Sequence, residues 1–193
     1  MKLTVNEIFY SLQGEGGRTG EASIFVRLTK CNLACSFCDT DFSHGQDMTP
    51  GEILSIIAAY PCKWIIWTGG EPTLQLRDEH LQVFREAGYK QAIETNGTNP
   101  VPSLIDYIAC SPKVKYESVK ECIPFAHEIR IPVSVGDAIP DISMFPQADR
   151  YFLSPVFDGE EPNPENINYT IEHIKKHPEW ALSLQMHKLI KIQ

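Results

Sequence analysis

Three cysteines, Cys31, Cys35 and Cys38, fall in the stretch CNLACSFCDT, with three residues between the first pair and two between the second. Three thiolates hold three irons of a [4Fe–4S] cluster and leave the fourth iron without a protein ligand. An open coordination position is where a substrate or co-substrate meets a metal. Other chemistries compete for the same residues. Cys35-x-x-Cys38 alone matches a thioredoxin-type redox pair or half of a zinc site, and a structural zinc site wants a fourth ligand and usually a second Cys/His pair. Cys62, Cys110 and Cys122 are scattered singly, and His44, a candidate to complete a Cys3His set, has no paired knuckle beside it. The opening MKLTVNEIFY has no long apolar core of a secretory leader, which puts a disulfide framework behind zinc, and zinc behind the cluster.

Length and charge narrow the partners. At 193 residues the chain is expected to form one domain, 1–193, with a substantial core. Lys and Arg number 17 against 25 Asp and Glu, a formal net charge of −8. That balance does not suit nucleic-acid backbone, which asks for clustered Lys and Arg. No apolar run reaches the ~20 residues of a membrane-spanning helix. The expected partner is a small molecule, with neither nucleic acid nor membrane, and the cysteines without an export signal point to a reducing cytoplasm.

The elements that must position the cysteines alternate. Expected strands are residues 23–29 (SIFVRLT), 64–68 (WIIWT), 91–95 (QAIET), 108–111, 128–132, 151–154 and 182–186; expected helices are 49–60, 77–87, 102–107 and 164–177. Thr49, with Pro50 and Glu52 after it, reads as a helix N-cap, and Gly88 reads as a helix stop. Strand–helix alternation implies parallel βαβ units. Five strands run into polar or glycine-rich stretches: the cysteine loop, Gly69-Gly70-Glu71-Pro72, Asn96-Gly97-Thr98, Pro112-Lys113 and His187-Lys188. Each alone is an ordinary turn former. Active sites of parallel sheets and barrels gather at the C-terminal ends of the strands, so the five together point to one shared site. Seven strands and four helices fall short of a full (β/α)8 barrel of ~250 residues. The expected fold class is α/β, an incomplete (β/α) barrel open on one side, and the open flank makes a homodimer the expected assembly.

CNLACSFC resembles the signature of the radical SAM superfamily. That resemblance, and not the spacing alone, implies S-adenosylmethionine (SAM) as the ligand of the open iron, bound through its amino and carboxylate groups. SLQGEG (11–16), FVRLTKCNLACSFCDT (25–40), WTGGEP, ETNGT, SPK and LQMHKLI follow one another in order. The set is similar to the 7-carboxy-7-deazaguanine synthases, ring-contracting carbon–nitrogen lyases of the 7-deazapurine (queuosine and archaeosine) pathway, whose product serves tRNA modification, DNA modification or a secondary metabolite. SLQGEG and CDT are the specific part; the cysteines and GGEP are shared across the superfamily. The resemblance implies conversion of 6-carboxy-5,6,7,8-tetrahydropterin to 7-carboxy-7-deazaguanine with loss of ammonia. It implies a [4Fe–4S] cluster, SAM and Mg2+ as cofactors, and an electron donor such as flavodoxin or ferredoxin. No catalytic side chain is assigned, because the radical would be generated on SAM.

The residue chemistry fits those expectations. Gln13 offers two donors and an acceptor to a pterin edge; Leu12 and Gly14 join it by resemblance, and Glu15 accepts from the pterin N–H groups, although the residues alone favour a glycine-rich hairpin with Glu15 merely solvated. Arg27 sits in an apolar strand, and its planar fork matches the substrate carboxylate or a core carboxylate. Thr68 is placed for substrate contact. For SAM the resemblance implies Phe37, Cys38, Asp39, Gly70, Glu71, Asn96 with Thr95 and Gly97, Ser111, Pro112 and Lys113. It makes Thr40 a Mg2+ ligand. Two departures stand out. Ser154-Pro155 replaces the glutamine-proline pair common near the sixth strand, so Ser154 reaches SAM less directly. The chain ends on Gln193, where relatives place a proline whose terminal carboxylate reaches the substrate. Rival readings are an activase of a glycyl-radical enzyme and a non-catalytic zinc or iron–sulfur module.

Overall fold

The computed structural model describes residues 1–35, 44–113 and 116–192. Among them nine strands form one sheet: β1 (Leu3–Leu12), β2 (Ala22–Leu28), β3 (Gln46–Met48), β4 (Trp64–Gly69), β5 (Lys90–Thr95), β6 (Tyr107–Cys110), β7 (Phe125–Val133), β8 (Gln147–Pro155) and β9 (Trp180–Leu182). Their order is β3-β1-β2-β4-β5-β6-β7-β8-β9. Every pair from β2 to β9 is parallel, and β1 runs antiparallel to both β2 and β3. The sheet does not close on itself, so the architecture is the expected incomplete barrel. The helices are α1 (Pro50–Ile57), α2 (Asp78–Glu86), α3 (Tyr116–Cys122), α4 (Pro164–Lys176) and α5 (Met186–Ile190).

Side-chain alternation sorts the strands into two faces. The outer face carries Ile24, Val26, Leu28, Ile65, Trp67 and Ile93, and it packs on Ile53 and Ile57 of α1 and Leu81 and Phe84 of α2. Burying each of these side chains contributes about 1.5–3 kcal/mol. A second cluster joins Ile129, Ile131, Leu153 and Trp180 to Val119 of α3. The inner face has an apolar floor, Phe25, Ile66 and Ala92, with Phe9, Trp64 and Tyr107 against it. Two positions further along these strands stand Arg27, Thr68 and Glu94, and Arg130 of β7 joins them, which makes the floor apolar and the rim polar.

Local signals act where the sequence placed them. At α1, Glu52 N donates to Thr49 Oγ1 and Thr49 N donates to Glu52 Oε2 (2.7 Å), a reciprocal cap. Gly88, at φ +80°, ends α2.

Elsewhere the structure corrects the sequence reading. Residues 102–107 form no helix: Asp78 holds Ser103 Oγ and Leu104 N, Asp106 N donates to Gln91 O, and Tyr107 opens β6. β1 and β3 were not expected. The β1 register shifts between Val5 and Glu7, so Leu3 and Val5 pack outward with Ile8, and the period-2 signal breaks at the bulge. β9 covers Trp180–Leu182 rather than 182–186: Ser183 N makes the last ladder bond, to Leu153 O, and Met186 N then bonds Gly14 O to start α5. α3 and α5, of seven and five residues, are too short to announce themselves in the sequence.

The β1–β2 connection does more than turn the chain. Gly16 N donates to Ser183 Oγ (2.9 Å) and Gly17 N to Glu128 Oε2 (2.7 Å). A Cβ on Gly16, which has φ +71°, would come 2.1 Å from Glu128 Oε1, so only glycine fits. Arg18 is buried with its guanidinium 3.8 Å over the Trp64 ring. This loop therefore ties the first two strands to β7 and to the segment after β9, across the gap that the sheet leaves open.

Candidate active site

The strand ends open into two adjoining cavities of about 570 and 590 Å³. Cys31, Cys35 and Leu33 line the first, opposite Gly69-Gly70, Asn96, Ser111 and Ser154. Phe9, Phe25, Arg27, Gln13, Gly14 and His187 line the second. Glu15, Thr68, Glu94, Lys113, Arg130, Gln185 and Lys188 line both and form the boundary between them.

Cys31 and Cys35 are free thiols facing one cavity, and Leu33 N points at Cys31 Sγ (3.4 Å). Backbone N–H groups directed at sulfur favour the thiolate that binds iron. Cys38, Phe37, Asp39 and Thr40 lie outside the described residues, and so does Gln193. Among the described residues no cluster of three His, Cys, Asp or Glu forms a metal site. Cys110 is buried, its thiol pushed up to about 12 by burial; Cys62 and Cys122 donate to Ala22 O and Thr98 O. These three are packing residues, as their scatter implied.

The glycine pair after β4 has a backbone reason. Gly70 N donates to Leu28 O (3.1 Å) and Glu71 N to Lys30 O (2.8 Å), and a Cβ on Gly70 would lie 2.0 Å from Lys30 O. The pair thus lets the end of β4 lie against the chain entering the cysteine loop. Glu71 differs from its expected role at the SAM ammonium. Its carboxylate is fully buried and accepts from Thr73 N, Thr73 Oγ1, Thr95 Oγ1 and Asn96 N, so it clamps the ends of β4 and β5. Asn96 lines the cavity and donates to Asn32 Oδ1 (3.1 Å), bracing the cysteine loop. Gly97 and Pro112 stand behind the wall; a Cβ on Gly97 would strike Val119. Ser111 Oγ donates to Arg130 O (2.9 Å) and receives a bond from Lys113 Nζ. Ser154 Oγ is buried on the cavity wall with no partner among the described groups. A cavity bounded by two cysteines, glycine backbone, a lysine and an unpartnered hydroxyl fits a cluster with an amino-acid-bearing ligand on it.

In the second cavity Leu12, Gln13, Gly14, Glu15, Arg27 and Thr68 come together. Gln13 Nε2 donates to Glu94 Oε1 (2.8 Å), and its Oε1 accepts from Gly14 N (2.8 Å). Arg27 Nε pairs with Glu7 Oε1 at 2.7 Å across the β1–β2 ladder, a half-exposed carboxylate rather than a core one, while the arginine lines the cavity. Phe9 and Phe25 stack at 4.7 Å and 4° to make an aromatic floor. Ile192 lines this cavity, with its N–H on His187 O.

The sequence reading missed Glu94, Arg130 and Gln185, and it named His187-Lys188 only as a polar strand end, without the side of His187 that packs on Gly14. The signal was present for two of them. A charged residue inside an apolar strand singled out Arg27, and QAIET and EIRIP carry Glu94 and Arg130 the same way. Arg130 is as buried as Arg18, and unlike Arg18 it lines both cavities. Burial raises the pKa of its neighbour Glu128, against the opposing hydrogen bonds from Gly17 and Tyr107. Burial also raises Tyr107, helped by the Glu128 charge beside it.

Comparison with known proteins agrees with the geometry. The sequence model of the radical SAM superfamily matches residues 26–112. The chain is 43% identical over 193 residues to the 7-carboxy-7-deazaguanine synthase of Bacteroides thetaiotaomicron, covering 100% of both chains. It is 44% identical over 201 residues to the enzyme of that name from Haemophilus influenzae, covering 99% of this chain and 94% of that one. The crystal structure of QueE from Escherichia coli shares the fold, with a TM-score of 0.76 at 24% identity over 97% of this chain and 95% of that one. With its cysteine loop, its strand-end cavities and full-length relatives of one name, the chain belongs to the 7-carboxy-7-deazaguanine synthase family of radical SAM enzymes.

Proposed function

We propose that the protein converts 6-carboxy-5,6,7,8-tetrahydropterin to 7-carboxy-7-deazaguanine with loss of ammonia. One observation carries the reading: a cysteine-lined cavity and a cavity rich in carboxylates and amides, with Arg27 and Arg130, share a single wall. When bound, the cluster and SAM supply reductive cleavage of a carbon–sulfur bond and, with it, hydrogen abstraction from the substrate. Cys31, Cys35 and Cys38 hold the cluster; Gly70, Asn96, Ser111, Lys113 and Ser154 receive SAM. Arg27 receives the pterin carboxylate through its terminal nitrogens while Glu7 fixes its Nε. Gln13, Glu15 and Thr68 meet the polar edge of the heterocycle, which lies over the Phe9–Phe25 floor. The protein's contribution is orientation and exclusion of water. Thr40 is the proposed Mg2+ ligand and the carboxylate of Gln193 a proposed substrate contact. A homodimer, flavodoxin or ferredoxin as electron donor, a cytoplasmic location and service to tRNA modification complete the reading. Anaerobic reconstitution with iron and sulfide, then SAM and dithionite with and without the pterin, tests it. Carboxydeazaguanine together with 5′-deoxyadenosine, enhanced by Mg2+, is expected; deoxyadenosine without that product would remove the pterin as substrate.

A further inference from the structure

Arg130 is the most enclosed of the residues that line both cavities, 6% exposed, and substrate binding as described leaves it without a task. Its Nη1 donates to Glu15 Oε2 (3.0 Å) and its Nη2 pairs with Glu94 Oε2. Its Nε lies 3.2 Å from Glu128 Oε1, at ion-pair distance but without hydrogen-bond alignment. Burial lowers the guanidinium pKa and the Glu15 charge opposes that shift; arginine starts so high that it stays charged. A buried cation among carboxylates is weak as a device for stability alone, since desolvation offsets most of the attraction. What the arrangement does achieve is orientation. Glu15 is held from a second side by Gln185 Nε2 (3.2 Å) and Glu94 by Gln13 Nε2 (2.8 Å). Each carboxylate has about four lone-pair positions, so each keeps acceptor capacity toward the cavities. The same residue's carbonyl accepts from Ser111 Oγ, in the segment that receives SAM.

We propose that Arg130 is a positioning residue whose fork fixes Glu15 and Glu94 where the two cavities meet, so that the N–H donors of the pterin find both acceptors already aimed and the ring is presented squarely to the SAM cavity. The inference rests on the pterin reading. Orientation fixed before binding lowers the cost of ordering on binding, and misplacement by about 1 Å is enough to separate the two half-reactions. Lysine would keep the charge but lose the fork that spans two carboxylates.

The test uses Arg130→Lys and Arg130→Met in the reconstituted protein. Three quantities are read: pterin affinity by calorimetry, SAM affinity, and the ratio of 5′-deoxyadenosine to carboxydeazaguanine. Both variants are expected to bind the pterin at least tenfold more weakly, to bind SAM within about threefold of wild type, and to form several deoxyadenosines per product, because hydrogen bonds to charged groups are worth about a factor of ten or more each. Folded variants with wild-type pterin affinity and wild-type ratio would overturn the proposal. So would failure of both to fold, which would assign Arg130 to the fold alone. A wild-type protein that does not bind the pterin is a different failure: it sinks the substrate reading and this inference with it.

Discussion

Glu71→Gln changes one atom of a buried side chain, and the structure predicts a large effect. Oε1 faces Thr73 N at 3.0 Å and the hydroxyls of Thr73 (2.6 Å) and Thr95 (2.8 Å); Oε2 faces Asn96 N at 2.7 Å. The hydroxyls can rotate and become acceptors, but the two backbone N–H groups cannot. Whichever way the amide is turned, its NH2 confronts a fixed N–H. The variant loses one charge-assisted bond, about 1.5–3 kcal/mol, and leaves two buried donors opposed, another ~1–3 kcal/mol. Relief from no longer burying a charge offsets part of this. The net loss is about 3 kcal/mol, or a fall in Tm of ~6–12 °C at ~2–4 °C per kcal/mol for a chain of this size. Scanning calorimetry at neutral pH measures it. Because Glu71 N also holds Lys30 O at the entry to the cysteine loop, iron retained after reconstitution should fall in parallel. A Tm within about 1 °C of wild type would refute the clamp and return Glu71 to the list of groups available to SAM.

Three further outcomes follow from the same geometry. Arg27→Ala should weaken pterin binding about 100-fold, ~2.7 kcal/mol, and leave SAM affinity and the cluster intact; equal pterin affinity in the variant would take Arg27 out of the site. Gly16→Ala, at φ +71° and 2.1 Å from Glu128 Oε1, should lose about 3 kcal/mol, against about 1–2 for Gly20→Ala, whose φ of +87° faces open space; equal losses would show that the β1–β2 loop does not press on Glu128. Glu128 has a folded-state pKa raised above its ordinary 4.5, chiefly by burial. The folded state therefore binds more protons than the unfolded one between those values, and stability falls as pH rises through that window. The Tm of wild type relative to Glu128→Gln should decline from about pH 4.5 upward, and a difference that stays flat between pH 4 and 7 would contradict the shift.

Most of the parallel sheet was legible because its strands are buried on both faces and read as apolar runs, WIIWT above all. What the sequence hid is instructive. β1 contains a register shift at Val5/Glu7 that reverses which parity points inward, so no single period describes LTVNEIFYSL. β9 has only three residues, and Ser183 N makes its last ladder bond, to Leu153 O. The site divided along the same line. Residues in motifs with a distinctive composition, such as the cysteines and SLQGEG, could be found from spacing and resemblance. Glu94, Arg130 and Gln185 sit in unremarkable stretches and become site residues only when parallel register brings their strand ends level. At Glu71 the motif reading expects a ligand contact, where the structure shows a buried carboxylate already surrounded by four internal donors.

The open barrel and the composition of its wall are connected. A closed (β/α)8 barrel fills its interior with layers of side chains from its own strands. Here the interior between β1 and β9 is filled instead by the 13–21 loop, whose Gly16, Gly17 and Arg18 reach Ser183, Glu128 and Trp64. The same loop begins with Gln13 and Glu15, two of the groups at the boundary of the cavities. The segment that closes the barrel is therefore the segment that presents the substrate-facing amide and carboxylate, and its position is set by contacts on the far side of the gap. Stability of the closure and aim of the site cannot vary independently. A substitution at the Glu128 end of the loop, some way from either cysteine, should be felt at Glu15 before it is felt at the cluster.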